Sequence, residues 1–316
     1  MRPRILGVWC TACLLWSSTY PIIKLGLRHV PPVTFAWVRL SIALAVLIPT
    51  TAARGDWRTL NRRDVAHVMG AGVLLLGLNY GLLYWGAQYT PSGLVAILQS
   101  ATPLIALGLG SLVGSEQVSA RKVISLMIGS VGVALIFRTE ASASGSATLL
   151  GAIAVVCSSV SIACAYVWLK GYGRRLPPTS VTTLQCVAGI CVLAPAGLIL
   201  EGNPGQVTWS PAALGAVLYL ALCGSVLAFW SNYWLLERMD ASAMLMMGVA
   251  EVPVAVALGA LVFGERLPAG TFLGAACVLI SVIGGLFTKG TATPSGSDRR
   301  RHSVRPFRTR GGLFRA

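Results

Sequence analysis

Charged residues are scarce in this sequence, since Asp, Glu, Lys and Arg make up only 11% of its 316 residues. A soluble domain carries about a quarter charged residues, so the composition excludes an ordinary soluble protein. The few charges lie in short clusters, and the apolar runs between them are long enough to cross a bilayer as helices. The sequence therefore predicts an all-α integral membrane protein, whose backbone polar groups inside lipid are satisfied within helices.

The sequence also lacks the common catalytic and nucleotide-binding patterns, because it contains no HExxH, GxSxG or GxxxxGK[ST] motif. The histidines number three, and His29, His67 and His302 lie at predicted helix ends or in the C-terminal tail. All eight cysteines fall inside apolar runs, which favours small apolar packing over disulfides or zinc ligands. We therefore expect no metal, no cofactor and no enzyme activity.

Ten apolar runs predict ten transmembrane helices. They cover residues 5–26, 33–51, 66–87, 92–114, 121–138, 148–170, 179–200, 211–235, 241–263 and 270–288. The segment 289–316 is rich in Ser, Gly, Pro and Arg, and its composition predicts a disordered basic tail. Contact of this tail with anionic lipid accounts for much of the net charge of +15, so no nucleic-acid partner is expected.

The distribution of Lys and Arg predicts the orientation in the membrane. With the N-terminus placed in the cytoplasm, 20 of the 25 basic residues fall in cytoplasmic segments and 4 in external ones. Cytoplasmic loops carry the excess of positive charge in membrane proteins. We therefore expect a multi-pass protein of the plasma (inner) membrane with both termini cytoplasmic. The lipid bilayer is its first expected partner, and a homodimer is left open.

The two halves of the chain resemble each other. RHVPPVTFAWVRLSIALAVLIP (28–49) matches RRLPPTSVTTLQCVAGICVLAP (174–195) at a shift of 146 residues, and a shift of 149 later relates Glu116 to Glu265. Each half holds five predicted helices, an odd number, so the second half enters the membrane inverted. The sequence predicts two inverted repeats, residues 1–143 and 144–288, followed by the tail. Transporters built this way place their substrate site between the repeats, near the midplane.

These features resemble the EamA-like family of the drug/metabolite transporter superfamily. The resemblance covers about residues 5–288, and the stretches that carry it are LWSSTYPIIK (15–24), PPVTFAWVRL (31–40), ILQSATPLIALGLGSLVGSE (97–116) and GVAEVPVAVALGALVFGE (248–265). It implies a ten-helix bundle that exports small metabolites, such as amino acids, or drugs, with both termini inside.

We accordingly expect a secondary active exporter that works by alternating access. The short loops leave no room for an ATPase domain, so we expect a proton gradient, used by antiport, to supply the energy. A nucleotide-sugar or sugar-phosphate antiporter shares this architecture. Such a protein would place Lys or Arg deep in the later helices to hold phosphate, and the last three predicted helices contain none there. A structural or signalling membrane protein without transport activity is the other alternative.

Glu251 is the single charge in the apolar stretch 244–263. An acidic residue at mid-bilayer costs at least about 2.5 kcal/mol, so its side chain should face the bundle interior or a wet cavity. Its repeat partner is Thr102, which means that the scaffold does not require a carboxyl group at this position. Glu251 is either a proton carrier or substrate counter-ion, or a buried protonated residue that donates one structural hydrogen bond.

Aromatic and amide side chains at a similar depth complete the predicted pathway of substrate and proton, since small-molecule sites combine such groups. The predicted pathway consists of Trp16, Tyr20, Asn79, Tyr80, Gln99, Tyr166, Asn232, Tyr233 and Glu251. A membrane-interface belt is the alternative for aromatic residues near helix ends, and it is favoured for Tyr84. Pro21, Pro103 and Pro253 are predicted helix breaks, because proline lacks the backbone N–H.

Two basic residues lie inside apolar runs, and the sequence allows two roles for each of them. Lys24 either extends to the lipid headgroups or gates the outer mouth, where it shares a helix face with Trp16 and Tyr20. Arg39 lies two turns inside the second predicted helix, where it either bonds helix-end carbonyls or contacts substrate.

Overall fold

The computed structural model describes residues 3–56, 60–114, 120–143, 145–169, 176–228, 230–231, 235 and 241–286. These residues form ten long helices, one 3₁₀ turn at Pro204–Gln206 and no strand, which confirms the predicted all-α membrane fold. The helices are α1 Pro3–Leu27, α2 Pro32–Arg54, α3 Arg62–Tyr89, α4 Ser92–Leu112, α5 Ala120–Ala143, α6 Gly145–Leu169, α7 Pro178–Leu200, α8 Pro211–Leu227, α9 Ala241–Phe263 and α10 Ala269–Leu286. The predicted tail 289–316 lies outside the described residues.

Six helices, α1 to α4, α6 and α7, are long and apolar enough to cross a membrane by length and composition. The other four contain shorter apolar helical stretches, namely Val123–Thr139, Pro211–Leu227, Ala250–Phe263 and Ala269–Gly284. Each stretch lies in one of the predicted spans or extends one residue beyond it. The described part of the chain is therefore a multi-span bundle with short connections.

The principal helix contacts follow a two-repeat pattern. α2 packs on α7, α4 on α9 and α5 on α10, while α1 contacts α8 and α9, and α6 contacts α3 and α4. When α1 to α5 are exchanged with α6 to α10 in order, the same set of helix contacts results. α3 and α8 also carry π-helical segments, Val73–Leu78 and Leu222–Leu227, at the same shift of 149 found in the sequence. The bundle thus consists of two five-helix repeats, and the odd helix number inverts the second. The boundaries at residues 143 and 288 stay predictions.

Close backbone contact between α5 and α10 depends on glycine. A Cβ atom at Gly132 would lie 2.8 Å from the carbonyl oxygen of Gly274, and one at Gly274 would meet the Gly132 oxygen at the same distance. Small residues at such crossings let transmembrane helices approach closely, which is how they associate without a hydrophobic driving force between them. The pairing of the last helix of each repeat is thus encoded by two glycines.

Of the three predicted helix breaks, the structure has one. α4 is interrupted between its parts Ser92–Gln99 and Thr102–Leu112, and Pro103 lies in the first turn of the second part. Pro21 and Pro253 lie inside the continuous helices α1 and α9, so the prediction of breaks there is wrong. A proline removes one helix hydrogen bond, and neighbouring transmembrane helices hold the flanking turns in place.

Candidate substrate site

Two adjoining cavities lie where the two repeats meet. Their volumes are about 230 Å³ and about 190 Å³. Helices α1 and α4 of the first repeat and α6 and α9 of the second provide the residues that line both cavities: Trp16, Tyr20, Gln99, Ile162, Tyr166 and Glu251. Aromatic walls with a few polar groups are typical of small-molecule sites.

The structure brings seven of the nine predicted pathway residues to these cavities. In addition to the shared set, Asn79 and Tyr80 of α3 line the larger cavity. Asn232 and Tyr233 lie outside the described residues. The functional roles of these residues stay predictions, but their common location is a geometric fact of the bundle.

Glu251 faces both cavities from α9. Its side chain is buried, with the residue 8% exposed, and its Oε1 atom has no hydrogen-bond partner among the described residues. Thr102, its repeat equivalent, lines the smaller cavity from α4. The hydroxyl of Thr102 donates instead to the Gln99 carbonyl at 2.7 Å, next to the interruption of α4. The two equivalent positions therefore differ: Thr102 bonds a backbone carbonyl, whereas Glu251 has a carboxyl oxygen with no partner in the described part of the chain.

Gln99 lines both cavities, yet protein groups already occupy its amide. Its Nε2 donates to Ser158 Oγ at 2.8 Å, and its Oε1 accepts from Ser159 Oγ at 3.2 Å. These bonds join the interrupted segment of α4 to α6 of the other repeat. Gln99 therefore stabilises the wall of the site at the repeat interface.

Arg39 also lines the larger cavity, which the sequence left undecided. It is 3% exposed and donates from Nη1 to the Tyr84 hydroxyl at 2.6 Å and from Nη2 to Ser225 Oγ at 3.2 Å. Its Cζ lies 5.1 Å from the centre of the Tyr80 ring, a cation–π contact. In the sequence, an arginine two turns inside an apolar helix already indicates that its side chain needs buried polar partners.

The interface-belt interpretation of Tyr84 is wrong. Its side chain is fully buried, and its ring stacks on Tyr80 with the centroids 5.4 Å apart. The buried Arg39 needs an oxygen acceptor, and the phenol of Tyr84 provides it away from lipid. Sequence position near a helix end cannot distinguish a belt tyrosine from one that turns inward.

The two π-helical segments present equivalent carbonyl groups to polar side chains. The Leu75 carbonyl accepts from Asn79 Nδ2 at 2.8 Å, and the Gly224 carbonyl, 149 residues later, accepts from Arg39 Nη2 at 3.3 Å. A π turn widens the helix and shifts the hydrogen-bond register, so such turns are frequent at functional sites. The Oδ1 atom of Asn79 stays without a partner among the described groups.

Lys24 lies away from the cavities, at the end of the bundle where α1, α3 and α9 end. Its Nζ lies 2.9 Å from Glu265 Oε1 and donates to the Thr90 carbonyl at 3.1 Å. The same carboxylate accepts hydrogen bonds from the Ser92 N–H and hydroxyl at 2.9 Å and 2.7 Å. Burial raises the pKa of Glu265, but the bonds from Ser92 and Lys24 outweigh it, so the net pKa is lowered. Lys24 thus forms a protein contact rather than extending to the headgroups.

Comparison with known proteins identifies this architecture. A family model for the EamA-like transporter family matches the chain twice, over residues 4–138 and 149–286. The chain is 24% identical over 286 residues to the uncharacterized transporter YoaV of Bacillus subtilis, a match that covers 90% of this chain and 97% of that protein. It is 27% identical to the uncharacterized inner membrane transporter YedA of Escherichia coli K12, with 88% and 89% covered.

Two further similarities bear on function and fold. A protein of Salmonella typhimurium named as a probable amino-acid metabolite efflux pump is 23% identical over 295 residues, with 90% of this chain and 96% of that protein covered. A protein of known crystal structure superimposes with a TM-score of 0.61 at 21% identity, and the match covers 91% of this chain and 97% of that one. The structural match supports the fold alone.

Proposed function

Because the chain belongs to the EamA-like transporter family, we propose that it is a secondary active transporter that exports a small metabolite in exchange for protons. The relatives named as transporters support the membrane-transport function itself. The protein would reside in the inner membrane with both termini in the cytoplasm, as the distribution of its basic residues predicts.

The observation that carries the proton coupling is the environment of Glu251. Its carboxyl group is buried at a cavity between the repeats, and one of its oxygens has no partner among the described residues. A carboxyl group away from water favours its neutral form, and wetting favours the ionised form. Rocking of one repeat against the other would therefore let Glu251 bind a proton from one side and release it on the other.

Exchange requires that proton and substrate compete. A substrate bearing an amine or another hydrogen-bond donor would bind the ionised carboxylate and leave when Glu251 is protonated. The small aromatic cavity supports a neutral, zwitterionic or cationic compound, such as an amino acid, an amine or a compact lipophilic drug. The similarity to a probable amino-acid metabolite efflux pump supports the same range.

The test is transport into inverted membrane vesicles with an imposed pH gradient, using a substrate identified in an efflux screen. Glu251→Gln keeps the side-chain shape and removes the titratable group, so we expect gradient-driven accumulation to be lost. Asp64→Asn is the matched control, because Asp64 lies half-buried in the first turn of α3 and does not line either cavity, so this variant should transport as wild type. Accumulation by Glu251→Gln at the wild-type level would refute proton coupling through this residue.

A further inference from the structure

Within the described part of the chain, three buried polar atoms have no hydrogen-bond partner and belong to residues that line the larger cavity. They are the Oε1 of Glu251 on α9, the Oδ1 of Asn79 on α3 and the Nε of Arg39 on α2. Among the described residues, one other buried side-chain atom shares this condition, Trp37 Nε1, and Trp37 does not line the cavity. Buried polar atoms are nearly always paired in native proteins. Their concentration around one cavity indicates that a ligand completes the pairing.

The three atoms differ in the ligand groups they attract. Carboxylate and amide oxygens accept hydrogen bonds, so Glu251 and Asn79 suit a donor such as an ammonium group. The guanidinium of Arg39 only donates, and its remaining N–H suits an oxygen acceptor. The cavity therefore combines an acceptor pair on α3 and α9 with a donor on α2.

The buried positive charge of Arg39 is a second reason to expect an oxygen acceptor of the ligand beside it. It is 3% exposed, and within the described part of the chain no carboxylate lies within ion-pair distance of it. Its partners are uncharged: the Tyr84 hydroxyl, Ser225 Oγ and the Gly224 carbonyl. A buried cation without a counter-ion is costly in a membrane protein, and such residues mark substrate pathways. An anionic group on the ligand would provide the missing charge.

The size of the site limits the ligand. The two adjoining cavities, about 230 Å³ and about 190 Å³, lie near or below the lower limit of pockets that hold drug-sized molecules. The stacked rings of Tyr80 and Tyr84 form a rigid base beneath the guanidinium, with Arg39 Cζ 5.1 Å from the Tyr80 centroid. The site suits a compact ligand with two oppositely charged ends.

We propose that Arg39 binds a carboxylate of the transported compound while Glu251 and Asn79 bind its ammonium group, so that the substrate is a small zwitterion. This assignment rests on the proposed transport function and narrows its substrate class. It also makes Arg39 a specificity-determining residue that stays charged throughout the cycle, whereas Glu251 exchanges its proton. Protonation of Glu251 would then release the ammonium end and weaken binding of the whole molecule.

The test is ligand binding to the purified full-length protein in detergent, followed by thermal unfolding and calorimetry. The probes are the proteinogenic amino acids at about 10 mM, which is tenfold above a weak dissociation constant of about 1 mM. Each amino acid that binds is compared with its carboxamide, which lacks the carboxylate, and with its desamino acid, which lacks the ammonium group. We expect the wild-type protein to prefer the amino acid to both analogues by about tenfold or more.

Substitutions identify which residue binds the carboxylate of the ligand and which binds its ammonium group. In Arg39→Gln the preference for amino acid over carboxamide should disappear, and in Glu251→Gln the preference for amino acid over desamino acid should disappear. Arg39→Lys should keep the preference with weaker binding, because it retains the charge. Tyr84→Phe removes the bond to Arg39 without removing its charge, so it should also keep the preference.

Two results overturn the proposal. One is that none of the amino acids stabilises the wild-type protein. The other is that Arg39→Gln weakens amino acid and carboxamide binding equally, which would make Arg39 a residue that only positions α3 and α8. These outcomes are separate from the vesicle test of proton coupling. Zwitterion binding without proton-driven export would refute the antiport mechanism alone, and proton-driven export of amines that need no carboxylate would refute the zwitterion assignment alone.

Discussion

Lys24 and Glu265 form an ion pair with Nζ and Oε1 2.9 Å apart, and the same carboxylate accepts the Ser92 N–H that begins α4. The contact joins α1, the start of α4 and the connection between α9 and α10 at one end of the bundle. Carboxylates at a helix N-terminus pair with the unsatisfied N–H groups and the positive end of the helix dipole. Glu265 therefore links both repeats at a helix terminus.

Glu265→Gln should destabilise the protein by about 1 kcal/mol, the usual cost of weakening an N-terminal cap. The substitution keeps the shape but removes the charge that Lys24 and Ser92 recognise. Thermal unfolding in detergent measures the effect, with Arg266→Gln as control, because Arg266 is an exposed neighbour. Equal unfolding temperatures for Glu265→Gln and Arg266→Gln would show that the ion pair contributes nothing to stability.

The stability contributed by Glu265 should depend on pH with a defined sign. Its pKa is lowered in the folded protein because the bonds from Ser92 and Lys24 outweigh the effect of burial. The unfolded state then binds the proton more tightly, so the stabilisation is complete above the ordinary pKa of about 4.3 and is lost as pH falls through the lowered folded value. Unfolding temperatures of wild type and Glu265→Gln should converge as the pH is lowered from 7 towards 3. A gap that widens with acidification contradicts the assignment.

Gly132→Ala should loosen the contact between α5 and α10. The added Cβ would lie 2.8 Å from the Gly274 carbonyl oxygen, which is backbone and cannot rotate away. Overpacking of this kind costs about 1–3 kcal/mol. Gly108→Ala is the matched control, since its Cβ would meet Leu126 at 3.6 Å, an ordinary contact. Both variants are compared by thermal unfolding, and equal stabilities would argue against close helix contact at Gly132.

The orientation can be tested by reporter fusions. A reporter joined after Ala316 should be cytoplasmic, and one inserted in the connection 201–210, between α7 and α8, should be external. The reason is the distribution of Lys and Arg, with 20 of 25 on the predicted cytoplasmic side. External Ala316 fusions together with cytoplasmic loop insertions would reverse the assigned orientation in the membrane.

Much of the architecture was predictable because it depends on local properties. Apolar runs of membrane length define helices irrespective of neighbours, and each of the ten predicted runs overlaps an observed helix. The shift of 149 residues found by matching Glu116 to Glu265 recurs in the π-helical segments Val73–Leu78 and Leu222–Leu227. The location of Glu251 at a cavity followed from the cost of a carboxyl group in lipid.

Other features needed the tertiary structure. Proline patterns predicted breaks at Pro21 and Pro253, but packing keeps both helices continuous, because neighbours stabilise turns that lack one hydrogen bond. The partner of Lys24 is 241 residues away in sequence, and no local pattern specifies such a pair.

The sequence by itself determined that this protein is a helical membrane bundle with two repeats, because hydrophobic length and repeat spacing are written along the chain. Only the tertiary structure decided which polar groups face one another. It turned Tyr84 inward to Arg39, and among the described residues it left Glu251, Asn79 and Arg39 each with an unpaired atom around the same cavity. Polar groups inside a membrane must be satisfied by whatever the fold brings near them, so their roles depend on contacts between distant helices.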